Sequence, residues 1–592
     1  MKHLFRLNKY FSIYKWHFLL GIFFVTGSNY FGILIPQKVR DALNLVESKL
    51  TVYNGLSGSD KSIMYDDLGN ILLTFGLIVT GFAILKGLFM YFMRQTIIVM
   101  SRLIEYDLRK EVFGHLTSLD QSFYRKNQTG DIMARISEDV SKVRNYLGPG
   151  ILYGINLISL FVMTIYAMWE VDHMLTIVSL LPLPLLSISI YYVSKLINEK
   201  STLIQQQLSS LNNTAQETYS GIRVVKSYVK EDQFVSFFEQ QSEEFKKRSL
   251  KLAQIEAYFQ PLMLLLISIS TLIVVIVGGY QVFEGKLTTG NIAEFIIYVN
   301  MLTWPVTSIG WIASVVQEAE ASQARINELM DQKSTLENTN QSQYTLNGNI
   351  EFKNVSFVYP NTGIKALDNV SFSIKKGEKL AILGKTASGK TTIAELLTRM
   401  FDVTSGEIFI DGVNIKSHNL NVLRNRIAYV PQDVFLFSDT IAANIAFGKP
   451  DVSESDIHQY AKHASVYEEI IKLPAQFDTL IGERGVTLSG GQKQRISIAR
   501  AFIKNPDIII LDDALSAVDT KTEQDVLSFF ASSLQGKSSI TITHRANNLL
   551  NYDKIIILEE GIIIDEGTHD ELLSREGFYS SIYDQQSMKE VL

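Results

Sequence analysis

The chain has 592 residues, more than one hydrophobic core can organise, so at least two domains are expected. It contains no cysteine, which excludes disulfides and thiolate metal sites, and its net charge of −6 argues against nucleic acid or another polyanion as partner. A mean hydropathy of +0.11 with 20 % charged residues blends a very apolar first half with an ordinary soluble second half.

Six apolar windows come first, at about 17–36, 71–97, 147–169, 174–194, 257–282 and 292–316. Each is long enough to cross a ~30 Å hydrocarbon layer at a rise of ~1.5 Å per helical residue. Trp16 and Trp169 stand at window edges, where amphipathic rings meet the lipid–water boundary. Apart from Arg94 near the end of the second window, Lys86 and Glu294 are the charges inside; a snorkelling or cavity-facing position is expected for both, ahead of substrate contact.

Lys and Arg crowd the first sixteen residues and the two long connections, about 101–146 and 195–256, and are sparse at 46–70, 170–173 and 283–291. This asymmetry places both termini and the long connections in the cytoplasm of an inner or plasma membrane. The first window lacks a small-x-small cleavage pattern and reads as an uncleaved anchor. Both long connections mix spaced apolar residues with polar ones, so the spanning helices are expected to continue into water. Each pair would close in a short turn, at Phe123 to Asp131 and at Glu217 to Lys226, tips that include Tyr124, Arg125, Ser220 and Gly221.

Between Asp331 and Asn347 the chain turns to Ser, Thr, Asn and Gln without apolar periodicity, the composition of a solvated linker. Residues 1–330 therefore form a membrane domain, 331–347 a linker and 348–592 a second domain. There, alternating segments (Ile350 to Phe357, Val370 to Ile374) give way to apolar runs separated by helices, the pattern of a mainly parallel sheet.

Gly384-Lys385-Thr386-Ala387-Ser388-Gly389-Lys390-Thr391 follows an apolar run and precedes a helical pattern that starts at Thr392. Glycines at this spacing let backbone N–H groups turn toward an anion while the next helix aims its positive end at the same point. Lys390 would reach terminal phosphates, and Thr391 would offer a hydroxyl to Mg²⁺. Further on, Ile508 to Asp513 reads as a buried parallel strand ending in two carboxylates. Asp512 would hold Mg²⁺ and Asp513 would orient or deprotonate an attacking water.

With Leu488-Ser489-Gly490-Gly491-Gln492 added, the second half resembles the nucleotide-binding domain of an ABC transporter, its landmarks in the family's order. The whole chain resembles a type I exporter half-transporter: an all-α six-helix transmembrane domain followed by an α/β nucleotide-binding domain of P-loop NTPase, ABC type. The resemblance implies ATP and Mg²⁺ as cofactors, with Gln432 contacting the metal and His544 the γ-phosphate. It further implies Tyr359 stacking on adenine, Asp519 on a loop that crosses the dimer, and Leu488 to Gln492 gripping the ATP of a second half-transporter. Glu483 and Arg484 would touch the membrane domain, whose two tips resemble the family's coupling regions.

Two departures stand out. Asp513 occupies the place of a glutamate that is roughly 1.5 Å longer, and a ~1 Å displacement of a positioning group can slow a reaction about a hundredfold. Slow hydrolysis is therefore expected at this chain's own site, in either a homodimer or a heterodimer. Ala387 replaces a commonly seen glycine, with little effect expected. The implied function is ATP-driven export of a hydrophobic or amphipathic compound surrounded by membrane lipid. An ATP-gated or regulatory subunit and a peptide exporter are the alternatives.

Overall fold

The computed structural model describes residues 2–55, 58–338, 340, 342–482, 485, 487–516, 518, 520–533, 536–546 and 549–591. Two compact units emerge: Met1–Thr117 with Gly130–Gln332, and Ser118–Thr129 with Lys333–Leu592. The tip of the first long connection thus packs as part of the second unit.

In the first unit, six helices among the described residues are long and apolar enough to cross a membrane: Lys15–Asn54, Asp60–Ser118, Thr129–Val171, His173–Ser220, Glu231–Phe283 and Thr289–Met330. All run well past their apolar windows, as the amphipathic connections predict. Much of the first connection, near 46–70, is helical, because the first two helices continue toward each other to residues 54 and 59. Along the second helix Leu73, Leu77 and Ile84 are 64 %, 64 % and 67 % exposed, an outward surface that needs lipid or another apolar partner.

Inside, Phe295, Tyr298, Val299 and Leu302 of the sixth helix pack with Met168, Leu175 and Leu186. Glu294 on that helix is fully buried; Arg40 reaches it at 3.1 Å and the Tyr298 hydroxyl donates to it at 2.9 Å. It therefore neither snorkels nor faces a cavity: it is half of an ion pair between the first and sixth helices. The two backbones come close beside it, where Gly290 N–H donates to Asn44 Oδ1 at 2.9 Å and a Cβ on Gly290 would collide with the Arg40 carbonyl.

The expected turns at the tips are corrected to short helices, Gln121–Lys126 and Ile222–Ser227. Asp120 caps the first by accepting from Phe123 N–H at 3.3 Å. Gly221 closes the long helix before the second, donating to the Glu217 carbonyl, and that second helix restarts at once with Val225 N–H bonded to the Gly221 carbonyl.

Among its described residues the second unit holds ten strands: β1 (Ile350–Val358), β2 (Lys365–Ile374), β3 (Lys379–Gly384), β4 (Ser405–Ile410), β5 (Val413–Asn414), β6 (Ile427–Val430), β7 (Ile508–Asp512), β8 (Ser538–Thr543), β9 (Lys554–Glu559) and β10 (Ile562–Gly567). One sheet has the order β2-β1-β4-β5 with antiparallel pairing. The other has the order β10-β9-β3-β8-β7-β6 and is parallel except at β9–β10. The parallel sheet follows from the apolar runs, since every residue of β7 is buried. A shared core of Phe352, Phe372, Leu380, Ile382, Ile393 and Ile510 joins the two sheets.

A buried carboxylate that loses its cation is costly, about 3 kcal/mol. Arg40→Met should therefore lower the thermal midpoint of the purified protein in detergent, and Arg40→Met/Glu294→Gln should regain most of the loss. Equal midpoints for wild type and Arg40→Met would show that the pair holds nothing together.

Candidate functional site

Parallel pairing puts the carboxyl ends of β3, β6, β7 and β8 on one edge of the sheet, where ligands gather in open α/β folds. Gly384 ends β3, Gln432 follows β6, Asp512 ends β7 and His544 follows β8. A cleft of about 1110 Å³, open to solvent, forms there and is lined by Thr386 to Thr392 with Gln432, Asp512, Asp513, His544 and Tyr359. The strand order therefore brings together residues that lie up to 185 positions apart in the chain, as Tyr359 and His544 do.

The phosphate loop has little freedom of side chain. A Cβ on Gly384 would collide with the Leu558 carbonyl and one on Gly389, at φ +98°, with the Ala366 carbonyl. Ala387 also takes a left-handed conformation, φ +65°, which costs an alanine about 1 kcal/mol. Its replacement of glycine is thus less innocent than its neighbours suggest. The helix that follows is Lys390–Leu397, starting two residues earlier than its periodicity indicates.

Lys390 is buried and donates to the carbonyls of Gly384 and Lys385 at 2.9 and 2.7 Å. Burial pushes its pKa down against the pull of Asp512 and Asp513, so an anion in the cleft would relieve it. Lys385, by contrast, points out to Glu559 at 2.6 Å.

Burial pushes the Asp512 carboxyl up, opposed by hydrogen bonds from Thr391 and from Tyr429, whose hydroxyl lies 3.3 Å away. Thr391, Asp512 and Gln432 thus offer a hydroxyl, a carboxylate and an amide oxygen on one side of the cleft, hard donors of the kind Mg²⁺ accepts. Asp513 is held by its backbone, with φ +49° and its N–H on the Ile542 carbonyl at 2.9 Å. Its carboxylate accepts from Gln432 Nε2 at 3.4 Å, a long contact that fits a short side chain. Burial, then the Lys390 charge, pushes the His544 pKa below its ordinary value, so the imidazole is neutral at neutral pH.

Tyr359 lines the cleft, and its hydroxyl hydrogen-bonds Thr392 Oγ1 and donates to Glu395 Oε2, both at 2.9 Å. The guanidinium of Arg125, on the tip helix Gln121–Lys126, lies 4.7 Å from the Tyr359 ring centre and pairs with Glu395. Tyr124 on that helix is partly exposed. Sequence reasoning missed Glu395 and Tyr429. Glu395 could have been noticed as a lone charge in the apolar stretch Ile393 to Leu397; nothing marked Tyr429.

The structure does not bring Leu488 to Gln492 into this cleft. Ser489 caps the helix Gly490–Phe502, which therefore starts before Gln492, and its hydroxyl accepts from Gln492 N–H at 3.2 Å. Ser489 and Gly490 are exposed at the positive end of that helix. Ser220 and Gly221 lie in the first unit, at the second tip. Glu483, Arg484 and Asp519 lie outside the described residues. A second cavity, of about 1250 Å³, opens within the first unit between its fourth and sixth helices. Ile190, Val306 and Ile309 line it together with Lys195, Asn198 and Glu199.

Two family models match the chain. Residues 18–306 match the ABC transporter transmembrane region and residues 367–516 match the ABC transporter domain. The chain is 38 % identical over 501 residues to the "Probable multidrug resistance ABC transporter ATP-binding/permease protein YheI" of Bacillus subtilis (strain 168), covering 84 % of this chain and 86 % of that one. It is 35 % identical over 564 residues to the "Multidrug resistance-like ATP-binding protein MdlA" of Escherichia coli (strain K12), with 95 % of each covered. A solved structure titled "Structure of a bacterial Atm1-family ABC exporter with ATP bound" superposes with a TM-score of 0.76 at 25 % identity, over 97 % of this chain and 99 % of that one. The chain belongs to the ABC transporter family, as an integral membrane half-transporter of the exporter fold whose ATPase domain drives transport.

Proposed function

We propose that this half-transporter, paired with a second one, exports hydrophobic or amphipathic small molecules, drugs or lipids, across a bacterial inner or plasma membrane by alternating access. One observation carries the paired arrangement. Leu488 to Gln492 stand away from the cleft of their own chain, with Ser489 exposed at the N-terminus of a 13-residue helix, a ready anion site. Two chains facing each other would each close the other's cleft. Support for the cargo comes from the relatives named for multidrug resistance and from a membrane-unit cavity whose lining is apolar on one part and charged on another.

Within the cleft, Lys390 and the loop N–H groups bind the ATP phosphates, and Tyr359 takes the adenine. Thr391, Asp512 and Gln432 hold Mg²⁺, which when bound neutralises charge on the phosphate oxygens. Asp513 orients the attacking water and neutral His544 donates to the γ-phosphate, while Ser489 and its neighbouring N–H groups from the other chain complete the shell. ATP moves the membrane helices only because it binds the closed pair better than the open one. The tips around Tyr124, Arg125, Ser220 and Gly221, with Glu483, Arg484 and the Asp519 loop, carry that closure.

Asp513 makes this chain's own site slow. Asp513→Glu should raise kcat of the reconstituted ATPase at least about tenfold, approaching a hundredfold, with KM little changed; an unchanged kcat would refute the geometric account of position 513. The mass of the complex formed by this chain expressed alone identifies the partner. A monomer inactive until a second half-transporter is added marks a heterodimer, and a turning-over dimer marks a homodimer. In either, spin labels on the two nucleotide domains should approach on adding ATP and stay apart in Lys390→Ala. No approach with ATP would overturn the paired reading.

A further inference from the structure

Tyr359 is shared. One side of its environment is the cleft, which it lines with Ile364, Lys365 and Ala366; Arg125 is not among the residues lining that cleft. Elsewhere the guanidinium of Arg125 lies 4.7 Å from the Tyr359 ring centre and 5.0 Å from that of Phe401, and Phe401 meets Tyr359 edge-on at 5.8 Å. Glu395 then ties both together, accepting from the Tyr359 hydroxyl at 2.9 Å and from Arg125. Glu395 is 9 % exposed and sits on the phosphate-loop helix, and Arg125 forms an ion pair with it. All these residues belong to the second unit, yet Arg125 is delivered by the tip between two membrane-spanning helices. That tip is fastened from its other end as well. Asp120 accepts from Thr335 Oγ1 at 2.6 Å and from Ser334 at 3.3 Å, contacts that outweigh burial and hold its carboxyl below the usual range.

We propose that Arg125 is a positioning residue that links adenine binding to docking of the membrane-domain tip, with the Tyr359 ring as the shared element. The proposal rests on the reading that Tyr359 stacks the base. A cation over one face of a tyrosine and a base on the other constrain the same ring, so each event lowers the ordering cost of the other. By linkage, whatever the tip contributes to base affinity the base returns to tip docking. The base would then report to the membrane helices through the ring, independently of the phosphates, which Lys390 holds. Glu395 makes the arrangement specific: it fixes the tyrosine hydroxyl and the arginine fork at once, so a displaced tip leaves a buried carboxylate without its cation.

The test uses the full-length complex in lipid nanodiscs and two probes, ATP and inorganic tripolyphosphate, which has the phosphates but no base. Arg125→Ala should weaken ATP about three- to tenfold and leave tripolyphosphate within about twofold. Equal loss for both probes, or no loss for either, would overturn the proposal, since a merely propped phosphate-loop helix affects both alike. Arg125→Lys keeps a cation beside Glu395 and the ring and should recover at least half of the lost ATP affinity; recovery of none counts against the ring contact. Tyr359→Leu separates the two readings. If it leaves the ratio of the two affinities unchanged, the base reading itself fails. If it lowers the ratio and Arg125→Ala added to it lowers it again by the full factor, the base reading stands and the linkage fails.

Discussion

Four backbone ends meeting at one edge of a parallel sheet are the constraint on which the rest of this molecule depends. β3 enters the edge at Gly384, beside the Leu558 carbonyl on β9, at a spacing that admits no side chain. Because nothing but backbone fits there, the loop turns with its N–H groups available and Lys390 begins a helix directly beneath it. Register then does the remaining work: β7 and β8 are paired with Asp512 opposite Ile542, so the metal-type carboxylate ending β7 and the histidine that follows β8 reach the same edge of the sheet. A slip of one residue in β7 would turn Asp512 to the other face.

The electrostatics of the cleft describe a site tuned for a polyanion with a cation. Burial works against the charged forms of both Lys390 and Asp512, so each is held in an environment that a phosphate or a metal would improve. His544 is driven the opposite way from a charge-bearing role and remains a neutral hydrogen-bonding group. The cleft thus discriminates by hydrogen bonds and local charge rather than by a broad positive field, in keeping with a chain whose overall charge is −6.

Residues close in sequence were legible from spacing alone: the phosphate loop, the paired aspartates after a four-residue apolar run, and the six apolar windows. Their meaning depends on local backbone geometry and on membrane thickness, both of which short windows encode. What escaped depends on distant packing. Glu294 could be seen as a charge in an apolar window, but its partner Arg40 lies 254 positions away and no periodicity points to it. Glu395 and Arg125 are 270 positions apart, and neither carries a motif that names the other. The tips read as turns because a six-residue helix has too little periodicity to register, whereas an Asp120 cap makes it form. Position 387 looked harmless because a sequence does not display its φ.

Conformational coupling in this chain must pass through elements that belong to one body by packing and to another by chain connection. Residues 118–129 meet that description: they pack within the nucleotide unit and continue on both sides into membrane-crossing helices. Their anchors are unlike in kind. Asp120 is held by hydroxyl and N–H donors of the linker at Ser334 and Thr335, which do not line the cleft, whereas Arg125 is held by the Glu395 carboxylate and by the ring of Tyr359, which does. One anchor away from the cleft and one through the cleft's own tyrosine stand at opposite ends of a short helix, an arrangement in which a free-energy difference supplied at Tyr359 would act on one end of that helix while the other is held separately.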